Sequence, residues 1–237
     1  MIVDVGGGVR LACRMSGPVD APVLVLLHGG GTDGSAWDEL APALAGTWRV
    51  CVPDLRGHGA SDRPGEYSLA GMAEDLRGLL RGLGIARAVV VGHSMGGVVA
   101  YLFAAAYPAL VSALALAETP PPVPLGLPVP ARPAGGLRYD WDARLAVLAE
   151  LNQPAPSWTE ALSRITAPAL VVAGGPSSHL PQDEQAAMAA LVRGARLVTL
   201  PAGHRVHQDP GFGALVHEFA STTLRYHPGL PYEPLRG

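Results

Sequence analysis

The sequence predicts one α/β domain with a mostly parallel central sheet of about eight strands, flanked by helices. Three observations carry that expectation. Short, wholly apolar runs, such as Val111–Ala117 and Ala169–Ala173, alternate with longer helical segments along the 237 residues. Strands without an inside–outside alternation belong to a sheet buried on both faces. The hydrophobic content is 49% against only 16% charged residues, as a large covered sheet requires. The run Ala88-Val89-Val90-Val91 is followed directly by Gly92-His93-Ser94-Met95-Gly96, a glycine-flanked serine where a buried strand should turn into a helix.

The elements read in order as follows. Residues 2–5 and 9–15 form a hairpin around Gly6-Gly7-Gly8, and 23–28 is a continuous apolar strand. Residues 36–45 read as a helix, followed by strand Arg49–Pro53. A helix spans 69–83, with Ser68 as its N-cap and Gly84 as its stop. Strand 87–91 feeds the glycine–serine turn, and helix 98–106 follows until Tyr107-Pro108 closes it. Strands Val111–Ala117, Ala169–Ala173 and 196–200, and helices 183–191 and 212–223, complete the pattern. Ligands of such sheets gather at the carboxyl ends of the strands.

One stretch breaks the alternation. Residues 119–168 hold no strand; the first part is too proline-rich for helix or central strand, and helical pieces follow near 141–151 and 158–165. An insertion this long between two strands reads as a small cap over the site, with Leu125, Leu127, Val129, Trp141 and Trp158 as candidate apolar lining. The expected organisation is thus a single domain over 1–237 with a cap at about 119–168, and an extended surface tail over 226–237.

Charge and composition exclude several classes of partner. All 17 basic residues are arginine, the net charge is −3, and no basic patch suggests nucleic acid or an anionic membrane surface. No apolar run is long enough to span a bilayer, and residues 1–6 lack the basic and apolar regions of a signal peptide, so a cytoplasmic location is expected. Cys13 and Cys51 lack metal-ligand spacing and read as core thiols. The sequence does not specify an oligomeric state.

The chemistry is carried by the G-x-S-x-G turn. Close approach of strand and helix excludes side chains at Gly92 and Gly96, holds Ser94 in a strained conformation, and aims the Met95 N–H at a developing oxyanion. A serine hydroxyl needs a base, and His204, directly after the last strand, is the candidate; His207, one turn on, is expected to pack or be solvated. His93 and His58 read as structural or surface residues. The side-chain-free loop His28-Gly29-Gly30-Gly31 offers the second oxyanion donor, with Gly30 first and Gly31 next.

Over nearly its whole length the chain resembles the α/β-hydrolase fold superfamily. The features that match are His28-Gly29, the turn Asp54-Leu55-Arg56-Gly57-His58-Gly59-Ala60-Ser61, the elbow at 92–97, and Gly203-His204 followed by Pro210 and Phe212. The resemblance implies a triad acid a few residues after strand Ala169–Ala173. This sequence departs there: Gly174-Gly175-Pro176-Ser177-Ser178-His179 contains no carboxylate, and Ser177 stands about where the acid is expected. Some members hold the acid at the end of the preceding strand, and here Glu118 follows Ala117 and precedes Thr119-Pro120. Glu118 is the favoured acid, with Asp183, Asp140, Asp142 or no acid at all as the alternatives; Asp54 reads as the structural residue of its turn.

The expected activity is hydrolysis of a small ester, thioester or lactone through an acyl-enzyme, with a small-molecule acyl substrate and no metal or organic cofactor. Members that displace halide or open epoxides use aspartate at the elbow, which Ser94 disfavours. C–C bond hydrolysis and acyl transfer remain open on the same triad. A different class, a non-catalytic ligand-binding protein on this fold, is kept open by the missing acid after strand Ala169–Ala173.

Overall fold

The computed structural model describes residues 1–226, so the expected tail lies outside the described residues beyond Tyr226. Eight strands form one sheet: β1 (Ile2–Gly6), β2 (Val9–Ser16), β3 (Val23–Leu27), β4 (Arg49–Pro53), β5 (Ala88–His93), β6 (Val111–Ala117), β7 (Ala169–Ala173) and β8 (Arg196–Thr199). Their order is β1-β2-β4-β3-β5-β6-β7-β8. β1 and β2 pair antiparallel, β2 joins β4 antiparallel, and every later pairing is parallel.

Side-chain alternation splits the core into two layers. Val23, Val25 and Leu27 of β3 face one layer, while Leu24 and Leu26 face the other. The first layer is covered by α2 (Leu69–Gly82), α3 (Met95–Ala106), α4 (Trp141–Asn152), α5 (Ser157–Arg164) and α6 (Gln182–Leu191). The second is covered by α1 (Leu40–Leu44) and α7 (Pro210–Tyr226), with Trp37 and Phe212 fully buried between them and the sheet. Each such large side chain contributes roughly 1.5–3 kcal/mol of burial, which explains why the strands carry almost nothing polar.

The helix expected over 36–45 is instead a 3₁₀ turn, Gly34–Trp37, capped by the Asp33 carboxylate, then the five-residue α1. Pro42 stands in the first turn of α1, where its missing N–H is tolerated, and Gly46 follows shortly after the helix ends. The segment before α4 has no helix or strand, as its prolines dictate.

α4 is tied firmly to the loop after β4. Asp140 N–H donates to the Gly57 carbonyl at 2.6 Å, Gly59 N–H to the Arg138 carbonyl at 2.6 Å, and Tyr67 Oη–H to Asp140 Oδ2 at 2.6 Å. Leu69 N–H donates to Glu150 Oε1 at 3.0 Å. Trp158, expected among the cap's lining residues, is buried in the core against Tyr101 of α3, and Val129 is 71% exposed. Among the described residues no helix is long and apolar enough to cross a membrane.

Candidate active site

The register brings the ends of the parallel strands to one rim: Leu27 pairs beside Gly92, His93 beside Ala117, and Ala173 beside Thr199. Whatever follows β5, β6, β7 and β8 therefore meets there.

Ser94 follows β5 with φ 52° and ψ −121°, a conformation that a side chain adopts only under strain of about 1–3 kcal/mol. Its N–H donates to the Ala117 carbonyl at 3.0 Å, which locks the elbow to β6. The glycines are dictated by contact. A Cβ on Gly92 would strike the Gly96 carbonyl, and one on Gly96 the carbonyls of Leu27 and His28. Gly97, beyond opening the helix, leaves the space that the Thr119 side chain fills.

His204 lies in the 3₁₀ turn Gly203–Gln208, entered through Gly203 at φ 63°. Its Nε2 lies 3.0 Å from Ser94 Oγ and its Nδ1 3.3 Å from Glu118 Oε2. Its main-chain carbonyl accepts a hydrogen bond from His93 Nε2–H at 2.7 Å. His93 thus fixes the backbone that carries His204. Burial pushes the His93 imidazole well below its ordinary range, and the nearby rings of His207 and His204 push it further, so it stays neutral. His207 is buried, with its ring 3.9 Å from that of His93 and 5.2 Å from that of Trp37, and burial pulls its pKa down to about 4. His58 is fully buried against His28 and Tyr139, so the surface alternative for it falls away.

Glu118 is fully buried and also left-handed, at φ 44°. Its Oε1 accepts from Gly174 N–H and from Gln182 Nε2–H at 3.2 Å; its Oε2 accepts from Ser178 Oγ–H and faces His204 Nδ1. Burial raises the carboxyl's pKa, but the donors from His204, Ser178, Gly174 and Gln182 outweigh it and hold the group below its usual range. Ser178, rather than Ser177, reaches the carboxylate; Ser177 backs Gly203 instead. The His179 ring lies against that of His204, centroids 4.3 Å apart and tilted by 56°, without a hydrogen bond. The alternative acids lie elsewhere. Asp183 is exposed in the first turn of α6, Asp140 caps α4, and Asp142 is exposed.

On the other flank of β5, Leu55 N–H donates to His28 Nε2 at 3.0 Å, so the proton resides on Nδ1, which donates to the Gly29 carbonyl at 2.8 Å. That carbonyl and the Gly30 N–H belong to one planar trans peptide, so fixing one fixes the direction of the other. Burial, followed by the neighbouring His58, lowers His28 to about 3 and keeps it neutral. This positioning role was invisible in sequence, since it depends on a contact with a loop 27 residues away. Gly30 and Met95 are neighbours: a Cβ on Gly30 would lie 3.6 Å from Met95 Sδ. Asp54 accepts from Gly34 and Ala60 N–H, as its turn role predicts.

Comparison with known proteins places the fold. The family described as alpha/beta hydrolase fold matches residues 22–158. A solved hydrolase from Pseudomonas aeruginosa PA01 is 30% identical with a TM-score of 0.81, covering 92% of this chain and 97% of that one. The enol-lactonase of Burkholderia xenovorans LB400 is 25% identical with a TM-score of 0.79, covering 92% and 99%. The fluoroacetate dehalogenase of a Burkholderia species is 38% identical over 126 residues, 51% of this chain and 40% of its own length. This chain spans about a third of the length of the curated relatives that match it over their shared part.

Proposed function

Given that the chain belongs to the α/β-hydrolase fold family, whose members are hydrolases, we propose that it is a serine hydrolase that cleaves a small ester, thioester or lactone through an acyl-enzyme. One observation carries the reading: an unbroken relay runs from Ser94 Oγ through both nitrogens of His204 to the buried carboxylate of Glu118. In this mechanism Ser94 Oγ attacks the carbonyl carbon while His204 Nε2 takes its proton. Glu118 accepts the Nδ1–H bond, selects the tautomer and balances the imidazolium. The N–H groups of Gly30 and Met95, at the N-terminus of α3, hold the oxyanion. His204 returns its proton to the leaving group, and water, deprotonated by the same ring, then releases the acid.

Lactone-type substrates gain support from the likeness to the enol-lactonase, whose coverage is nearly complete. Halide displacement, the activity named for the dehalogenase relative, is disfavoured because position 94 is serine: an alkyl-serine ether formed by that attack could not be hydrolysed through an acyl carbonyl. The part of the 119–168 stretch that precedes α5 acts as a cap, with α4 held over the rim by its bonds to Gly57 and Leu69, while α5 packs on α3 in the core. The partner is a small acyl compound handled by one domain.

A fluorophosphonate probe is expected to label the wild type and to leave Ser94→Ala unlabelled. Turnover of 4-nitrophenyl acetate should fall to background in His204→Ala. A protein that binds a small ligand but neither labels nor turns over would instead be the non-catalytic alternative.

A further inference from the structure

The mouth of the site holds a positive charge that the triad does not use. Arg144 lies on α4, one turn beyond Asp140. A Cβ built on Gly30 would come within 3.2 Å of its Nη1, so the guanidinium rests against the loop that neighbours Met95. Among the described residues this side chain forms no ion pair and no hydrogen bond; only its backbone N–H is bonded, to the Asp140 carbonyl at 3.2 Å.

Three acids around the site are already engaged, and Asp142, two residues before Arg144, is exposed and makes no ion pair with it. Asp140 takes Tyr67 Oη–H and Asp142 N–H, Glu150 takes Leu69 N–H, and Asp33 pairs with Arg138 at 2.5 Å. Arg56 is neutralised by Asp75 at 2.5 Å. The arginine at the Gly30 loop is thus half-buried, carried on a helix pinned from both ends, and without a counter-charge.

We infer that Arg144 is the subsite for a carboxylate carried by the substrate a few bonds from the scissile carbonyl. A transient oxyanion already has two backbone amides and the start of α3 to meet it. A permanent, full and forked positive charge beside them matches a permanent planar anion, which it binds with two parallel N–H···O bonds. Tyr139, whose ring lies 3.9 Å from a Cβ on Gly31, forms an aromatic wall next to it. The substrate class sharpens accordingly to esters or lactones of compact acids that bear a second, ionised carboxyl. This inference rests on the serine-hydrolase reading for its chemistry but not for its binding.

The test compares 4-nitrophenyl hydrogen adipate with its methyl-masked neutral twin. In both, the bond from Ser94 Oγ to the acyl carbon forms as the bond to nitrophenolate breaks, so only the distal charge differs. The ratio of kcat/KM, anionic over neutral, is expected to exceed unity in the wild type. It should fall at least tenfold in Arg144→Gln, mostly through KM, with Arg144→Lys between the two, and the wild-type preference should shrink at high salt. A ratio unmoved by Arg144→Gln, or a fall in kcat shared equally by both esters, would overturn the assignment. Titration with adipate itself separates this idea from the catalytic one. Ser94→Ala should bind adipate, and Ser94→Ala/Arg144→Gln should bind it at least tenfold more weakly; equal binding by the two sinks the subsite, even if neither ester is turned over.

Discussion

The two strands that flank β5 treat charge in opposite ways. After β3, His28 is buried, neutral and held in one tautomer by Leu55 and Gly29, so the buried side chain on that flank adds no charge of its own. After β6, Glu118 is equally buried but ionised, and it gathers donors from β7's loop and α6. On the proposed mechanism the asymmetry has a reason: the flank assigned to the oxyanion would present N–H groups to a charge that appears only during turnover, whereas the flank assigned to the acid would hold a charge permanently. A buried carboxylate is tolerable only with its lone pairs satisfied, which accounts for the four donors around one side chain.

The largest break in this contrast is Glu118→Gln. The amide keeps the shape, but it neither balances the imidazolium nor enforces the tautomer. Its kcat should drop by about 10³–10⁴ on any ester the wild type cleaves. Asp183→Asn, on an exposed turn of α6 away from His204, is the control and should stay within a factor of two or so. An Asp183 variant as damaged as Glu118→Gln would move the acid off β6 altogether.

Ser178→Ala sharpens the same flank more gently. A hydrogen bond to a charged acceptor is worth about 1.5–3 kcal/mol, but Gly174, Gln182 and His204 still contact the carboxylate. The expected outcome is a loss of about tenfold in kcat, together with an acid-induced loss of stability that sets in at higher pH than in the wild type as Glu118 returns toward its ordinary range. A fall in kcat with an unmoved acid-stability profile would mean that Ser178 only shapes the loop.

The contrast also marks what a reader of the sequence could see. The strands were legible because a doubly covered parallel sheet needs uninterrupted apolar runs, and Glu118 stood out because such a run ended in a carboxylate. The elbow and His204 declared themselves through glycines placed at strand exits. What stayed hidden depends on loop geometry. The 3₁₀ turn Gly175–Ser177 rotates Ser178 rather than Ser177 toward Glu118, and no local pattern encodes that rotation. Trp158 looked like cap lining until α5 was packed on α3. Arg144 resembled any helix-surface arginine, since its lack of a partner and its place against Gly30 are both tertiary facts.

The smallest expected effect concerns stability, and it distinguishes the flanks by pH. His28 and His207 have folded pKa values near 3 and 4, against an ordinary value of 6.5. The unfolded chain therefore takes up their protons below about pH 6.5 while the folded chain refuses them, so stability is lost steadily as pH falls from 6.5 toward 4. Glu118 acts in a lower window. Its folded pKa lies below the usual 4.5, so its contribution is complete above that value and is lost only as the pH falls beneath it. The thermal midpoint should accordingly decline from pH 6.5 to 4 in the wild type, with the histidines responsible. His207→Gln, which removes one such site outside the proposed triad and oxyanion donors, should flatten that slope without altering the drop below pH 4.5. A midpoint that stays level down to pH 4.5 in the wild type would mean that the buried rings are protonated in the native fold. His28 would then be a cation instead of the neutral, tautomer-locked ring on which the contrast depends.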